Sequence, residues 1–259
     1  MSATHPDVRA ASAATETGVY VYGVVRESAA TPEARGIGEA RVERVGYRDV
    51  AALTSTVGSL PIRAKRRELM AHSNVLTAAV ANGAVLPMRF GTIFERGEDV
   101  AARFLEPRYG ELGRLLDEFE AVVELRVKAS YRTDAVLEEI VRTNPRVAGL
   151  REATSGRPEA ETRALRVELG TAVAAELEAR KAEDAREIVE RLRGLADAVE
   201  LSETGIDEQV LRASFLVRRA RLGAFDAAMD DIARRHAEHI QFGYIGPLPP
   251  HSFVALEAR

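Results

Sequence analysis

From Pro158 to about Asp197 the chain reads as one uninterrupted helical stretch. Within the stretch no proline follows Pro158, and one glycine, Gly170, precedes the last turns. A helix of that length would be about 60 Å long at 1.5 Å per residue. A chain of 259 residues builds no domain of that width, so part of the helix must protrude or fold back as a hairpin. Leu165, Leu169, Val173 and Leu177 form one apolar stripe, and Ala185, Ile188, Leu192 and Leu195 form another. Between them Glu178 to Asp184 is almost wholly charged or alanine. That segment has no stripe to bury; if the helix folds back it reverses there, and a short turn could then replace the segment. Glu159–Arg163, Glu176–Arg180 and Glu187–Arg191 are i,i+4 pairs, each worth roughly 0.2–0.5 kcal/mol to the helix. The stripe is too irregular for a long dimeric coiled coil, and a short intramolecular one against the preceding helices is expected.

The rest of the chain alternates between strand and helix periods. Val19, Val21 and Val25 fall on one side of a strand at 18–26, with Tyr20, Tyr22 and Val24 on the other, the signature of a strand covered on both faces. Pro32, Gly36 and Gly38 mark a loop. Two strands are expected near Ala40–Val45 and Val50–Val57, with a turn at Gly46. Leu69, His72, Leu76 and Val80 give a helix over 63–81, and Leu86–Phe94 returns as a strand or extended segment. Helix covers 98–118, broken around Pro107. Val123, Leu125, Val127 and Ala129 then alternate with Glu124, Arg126 and Lys128, a half-buried strand with its charges outward. Helix-formers from Thr133 to Arg151 lead into the long stretch. A short strand near Val199–Ser202, a strand through Ala213, Phe215 and Val217, a helix striped by Leu222, Phe225, Met229 and Ile232, and a strand through Ile240, Phe242 and Tyr244 follow. The fold class expected is α+β: two α/β domains with the split β-α-β order of a ferredoxin-like fold. In the first the first helix is reduced or missing, and the second carries the long helical excursion. Boundaries are expected at 1–17 for a disordered tail, 18–119 for the first domain with its following helices, and 120–259 for the second, with its helical insert at about 133–197.

Bulk properties exclude several classes. Net charge is −4, from 36 basic and 40 acidic residues, without the basic excess that phosphate backbones demand; no nucleic-acid partner is expected. Cysteine is absent, which removes disulfides, iron–sulfur clusters and thiol catalysis and fits a reducing cytosol. The longest uncharged run, Ser73–Met88, contains Asn74, Asn82, Gly83 and Pro87 and falls short of a membrane span. The first 17 residues lack the basic start and apolar core of a signal peptide. No phosphate loop or nucleophile elbow occurs, and Gly36-Ile-Gly38 lacks the third glycine of a dinucleotide fingerprint. His5 lies in the tail. His72 sits on an apolar stripe as a core or boundary residue. His236 and His239 close a helix, where a cation is favoured without any metal. No catalytic residue, cofactor or metal is assigned.

Two segments stand apart. In Gly246-Pro-Leu-Pro-Pro-His-Ser-Phe253 three prolines fix three φ angles and remove three donors, which stiffens a segment expected to be ordered, with Phe253 buried. In Leu86-Pro-Met-Arg-Phe-Gly-Thr-Ile-Phe94 a lone Arg89 falls within an apolar run, where an unpaired charge is costly; a carboxylate partner or backbone carbonyls are expected for it. The clusters Arg63–Glu68 and Arg218–Arg221 are solvated faces or weak candidates for an acidic partner surface.

With Tyr20-Val-Tyr-Gly-Val-Val25, these two blocks resemble the gas vesicle protein L/F family in order and spacing, over about Gly18 to Val254. The chain departs from the family pattern at His251, where an aromatic residue, usually tyrosine, is the rule, and at Leu248, which some members replace by tryptophan. The resemblance implies two α/β domains, the second with a coiled-coil-like excursion, and a non-enzymatic minor gas vesicle protein, cytoplasmic and vesicle-associated. Its implied partners are the hydrophobic gas vesicle shell protein and other minor gas vesicle proteins, with no membrane partner. Candidate partner-binding residues are Arg89, Phe90, Phe94, Pro247, Pro249, Pro250, His251 and Phe253. The alternative is a small-molecule enzyme or ligand-binding protein on a ferredoxin-like scaffold.

Overall fold

The strand β1 (Gly18–Arg26) is buried along almost its whole length, as its two-sided apolar pattern requires. The computed structural model describes residues 17–58, 61–203, 208–254 and 256–257; the expected tail lies outside the described residues apart from its last position. Contacts divide the chain into two compact units, one of Met1–Asp117 with Ala255–Arg259 and one of Glu118–Val254. The second unit thus begins near the expected boundary, while residues after Val254 go back to the first. The content is mixed helix and strand, with one antiparallel sheet in each unit.

In the first unit, β2 (Glu43–Tyr47) and β3 (Val50–Val57) form a hairpin. Its turn is at Arg48–Asp49, with Arg48 at φ 55°, and not at the expected Gly46, which pairs with Ala51 inside the ladder. Glycine signals a turn only where its backbone freedom is used. The helix α1 (Arg66–Val80) buries His72, Val75, Leu76, Ala79 and Val80. The Leu86–Phe94 block is not one strand. It makes two short pairings with β1, β4 (Leu86–Pro87) and β5 (Ile93–Phe94). The sheet order is β2-β3-β1-β4, with β5 also on β1. After α2 (Gly97–Val100), which runs on into a π-helical turn at Ala101–Leu105, a turn at 106–108 realises the break expected around Pro107. The helix α3 (Tyr109–Glu118) follows.

The second unit opens with β6 (Val122–Tyr131) and three helices, α4 (Thr133–Thr143), α5 (Pro145–Thr154) and α6 (Glu159–Arg193). The sheet order is β7 (Ala198–Leu201), β8 (Gln209–Arg218), β6, β9 (Ile240–Leu248), with α7 (Leu222–Arg235) between β8 and β9 in sequence. Of the two forms open to the long stretch, the hairpin with its reversal at Glu178–Asp184 does not occur: α6 is continuous for 35 residues. Polar contacts hold that segment in place of an apolar stripe. Arg180 meets Glu139 at 3.3 Å and Glu176 at 3.1 Å, and Asp184 accepts the Tyr131 hydroxyl at 2.6 Å. Asn144 caps α5 by accepting the amides of Arg146 and Val147.

Candidate functional site

Arg89 escapes the apolar run because the run turns. Residues 89–92 form a tight turn in which Thr92 Oγ1 donates to the Arg89 carbonyl at 2.9 Å. Gly91 has φ +91°, which a side chain would strain. The turn is held from below: Gly91 N–H donates to Tyr20 Oη at 3.1 Å, and the same oxygen lies 2.9 Å from His72 Nδ1. Burial raises the Tyr20 phenol well above its ordinary range, so it stays a neutral linker. Phe90 is half-buried, its ring 5.7 Å from His72 and 5.9 Å from Tyr20. Phe94 is half-buried against Phe104. Arg89 itself is 72% exposed and pairs with Glu257 at 2.6 Å, so the expected carboxylate partner exists but the expected burial does not. Leu256 forms a parallel bridge with Met88 and is buried, and Arg108 Nη1 donates to the Glu257 carbonyl at 2.8 Å. The residues beyond the proline motif therefore complete the Leu86–Phe94 block within the first unit.

In the second unit the proline motif is tied to a carboxylate that alternation had assigned to solvent. Glu124 is fully buried. Its oxygens accept from Arg126 Nε at 2.6 Å, Ser214 Oγ at 3.1 Å, Ser252 N–H at 2.7 Å and Ser252 Oγ at 2.9 Å. A buried carboxylate needs such donors. The strand pattern could not reveal them, because Ser214 and Ser252 are distant in sequence. Glu124 pairs in register with Leu248, with an irregularity before Arg126–Ile245, and Gly246 sits there because the backbone comes close. A Cβ at Gly246 would lie 3.2 Å from the Glu124 carbonyl oxygen and 2.4 Å from the Leu125 side chain.

The other candidates separate by exposure. Pro247 is exposed, Pro249 and Pro250 are buried, and His251 and Phe253 are half-buried, Phe253 less covered than expected. Burial lowers the His251 pKa, and the Arg126 charge lowers it further. Arg89, Phe90 and Phe94 belong to the first unit and Pro247 to Phe253 to the second. Sequence reasoning found the last strand but did not name its exposed residues as candidates. In β9, Tyr244 is 38% and Ile245 61% exposed, and β9 is the last strand of its sheet. Their position in the alternating run was visible, but which strand ends the sheet was not.

The charge clusters are partly neutralised: Arg218 and Arg221 reach Asp197 at 2.8 and 3.9 Å. Arg63, Lys65, Arg67 and Glu68 line an open cleft of about 510 Å³ with Ile37 and Pro61. No helix of the described residues is long and apolar enough to cross a membrane.

A sequence model of the family described as gas vesicle synthesis protein GvpL/GvpF matches residues 18–255. Gas vesicle protein F of Streptomyces sp. (strain CB03234) is 40% identical over 242 residues, covering 91% of this chain and 98% of the relative. Among solved structures, the crystal structure of gas vesicle protein GvpF from Anabaena sp. PCC7120 is similar in fold, with a TM-score of 0.73 and 22% identity, over 93% of this chain and 97% of that one. GvpF from Microcystis aeruginosa gives a TM-score of 0.71 and 21% identity, over 92% and 99%. The match spans both sheets and includes all three sequence blocks, and the chain belongs to the gas vesicle protein GvpL/GvpF family.

Proposed function

We propose that this protein is a non-enzymatic gas vesicle assembly factor that binds the hydrophobic shell protein through its exposed apolar strand edge. The observation that carries the reading is β9, an outer strand with Tyr244, Ile245 and Pro247 exposed. Strand edges recruit extended partners through main-chain hydrogen bonds, with apolar side chains giving specificity. An isolated edge of this kind is an aggregation hazard unless something covers it, and a hydrophobic shell subunit supplies matching chemistry. The Arg89 turn, with Phe90 and Phe94 beside it, is a second contact candidate on the first unit. Pro249 and Pro250, being buried, position the strand end and do not touch the partner. The protein works in the cytoplasm, on the growing vesicle and beside other minor gas vesicle proteins. Each sheet has the order second–third–first–fourth of its unit's strands, which supports a ferredoxin-like reading of both units. The packing of α5 on α6 supports a short coiled-coil-like excursion.

Co-purification with the shell protein tests this. Wild-type protein should retain the shell protein in high salt, since screening weakens mainly exposed charge pairs. Ile245→Asp should lose it while keeping the wild-type circular dichroism spectrum, and Arg89→Ala should impair vesicle formation in cells. Retention by Ile245→Asp, or normal vesicles in cells lacking the protein, would remove the reading.

A further inference from the structure

The second unit holds three ligand-type side chains that the functional reading does not use. Asp184 of α6, His236 at the end of α7 and His239 just before β9 each offer a ligand atom, and these atoms lie within 4.8 Å of one another. His236 Nδ1 and His239 Nε2 are 3.3 Å apart. Two nitrogens bound at about 2.05 Å in a tetrahedral zinc site are separated by about 3.3 Å. The histidine pair is therefore already spaced as one edge of such a site. The backbone sets that spacing: the His239 and Ile240 amides both donate to the His236 carbonyl, at 3.2 and 2.8 Å.

What surrounds the rings distinguishes this cluster from two histidines at a helix end. The outward nitrogen of each faces a carboxylate. His236 Nε2 lies 3.8 Å from Glu187 Oε2, and His239 Nδ1 lies 4.0 Å from Glu139 Oε2. Both separations are longer than a hydrogen bond, so each carboxylate stands one short side-chain shift from accepting the outer N–H, the contact that orients metal-binding histidines. Glu187 is itself fixed through its other oxygen by Arg191 at 2.9 Å. Tyr131 donates to one Asp184 oxygen at 2.6 Å, leaving the second for a cation. Burial, reinforced by Asp184, raises the Tyr131 phenol, so it remains a donor.

The cluster lines a cleft of about 490 Å³ bordered by five carboxylates and two guanidinium groups. Both guanidinium groups have their own anions, Arg180 with Glu139 and Glu176, and Arg235 with Asp231. We propose that Asp184, His236 and His239 bind a divalent transition-metal ion, zinc by the preference of two imidazoles and a carboxylate, clamping α6 to the end of α7. Closing the site takes a movement of Asp184 of about 1.5 Å, from the present spread to the tetrahedral edge. The fourth position is left to water.

The test is zinc alone, added to untagged full-length protein at about pH 7.5. Calorimetry should give one Zn²⁺ per chain and a melting temperature that rises with zinc. Cobalt in its place should give visible d–d bands without thiolate charge transfer, as the chain has no cysteine. His239→Asn and Asp184→Asn should each weaken zinc by roughly 100-fold, and Glu187→Gln, which faces the outer nitrogen of His236 and supplies no metal ligand, by about 10-fold. His239 and Asp184 are only half-buried, so a folding defect in one variant leaves the other to decide. Absence of saturable zinc and cobalt binding would overturn the proposal, as would wild-type zinc affinity in either variant that remains folded.

Discussion

Glu124 shows how one side chain can hold a motif more than a hundred positions away in sequence. Removing it leaves the Ser252 amide, two hydroxyls and Arg126 without their acceptor. Glu124→Ala is expected to cost about 3 kcal/mol, as for breaking a buried charged pair from one side. Glu124→Gln, which keeps the shape, should cost about 1–2 kcal/mol; urea unfolding followed through Tyr fluorescence measures both. His251 adds a pH term. Its folded pKa is depressed below the ordinary 6.5 by burial and by Arg126, so the unfolded chain takes up the proton first as pH falls. The contribution is complete above 6.5 and is lost through the window below it, because stability rises with pH wherever the unfolded state binds more protons. His251→Gln should flatten the urea midpoint between pH 7 and its folded pKa relative to wild type, and an unchanged slope would show that His251 is as hydrated folded as unfolded.

At the scale of elements, the long helix is the clearest test. Replacing Glu178–Asp184 by a Gly/Ser turn should destabilise the second unit by about 4 kcal/mol or more from helix propensity alone. It also removes the Arg180 and Asp184 contacts to α4 and β6. A thermal melt equal to wild type would mean that the two ends of α6 fold independently. Periodicity located nearly every element, because apolar spacing directly records which face is buried. It failed where polar groups substitute for apolar ones. The middle of α6 is held by ion pairs and a phenol, and Glu124 by hydroxyls and an amide, none of which leaves a hydrophobic period. It also failed at Arg89, since a turn and a strand of the same apolar content differ only through Gly91. The candidate site was legible as two blocks of unusual composition, while their division between units and the exposed edge of β9 depend on pairings across long separations.

For the whole molecule, the return of residues 256–257 to the first unit is the feature to test. Leu256 is almost fully buried, whereas Glu257 makes an exposed pair with Arg89. Leu256→Ala is expected to cost about 2–4 kcal/mol, as other buried leucine truncations do, and Glu257→Ala less than about 1 kcal/mol. Hydrogen exchange can locate the loss: protection should fall in β1 and β4 and persist in β6 and β8. A uniform fall would mean that the two units unfold together.

That return also sets an order of events on the ribosome. The stretch carrying Met88 is made early, yet its partner Leu256 emerges only after roughly 170 more residues, on the order of 10–30 s later at ordinary elongation rates. The second unit is itself complete only at Val254, two residues before Leu256, so the earlier half of the polypeptide waits for its closing segment until the later half has also been made. Until then the Met88 side of its sheet remains open to cellular chaperones.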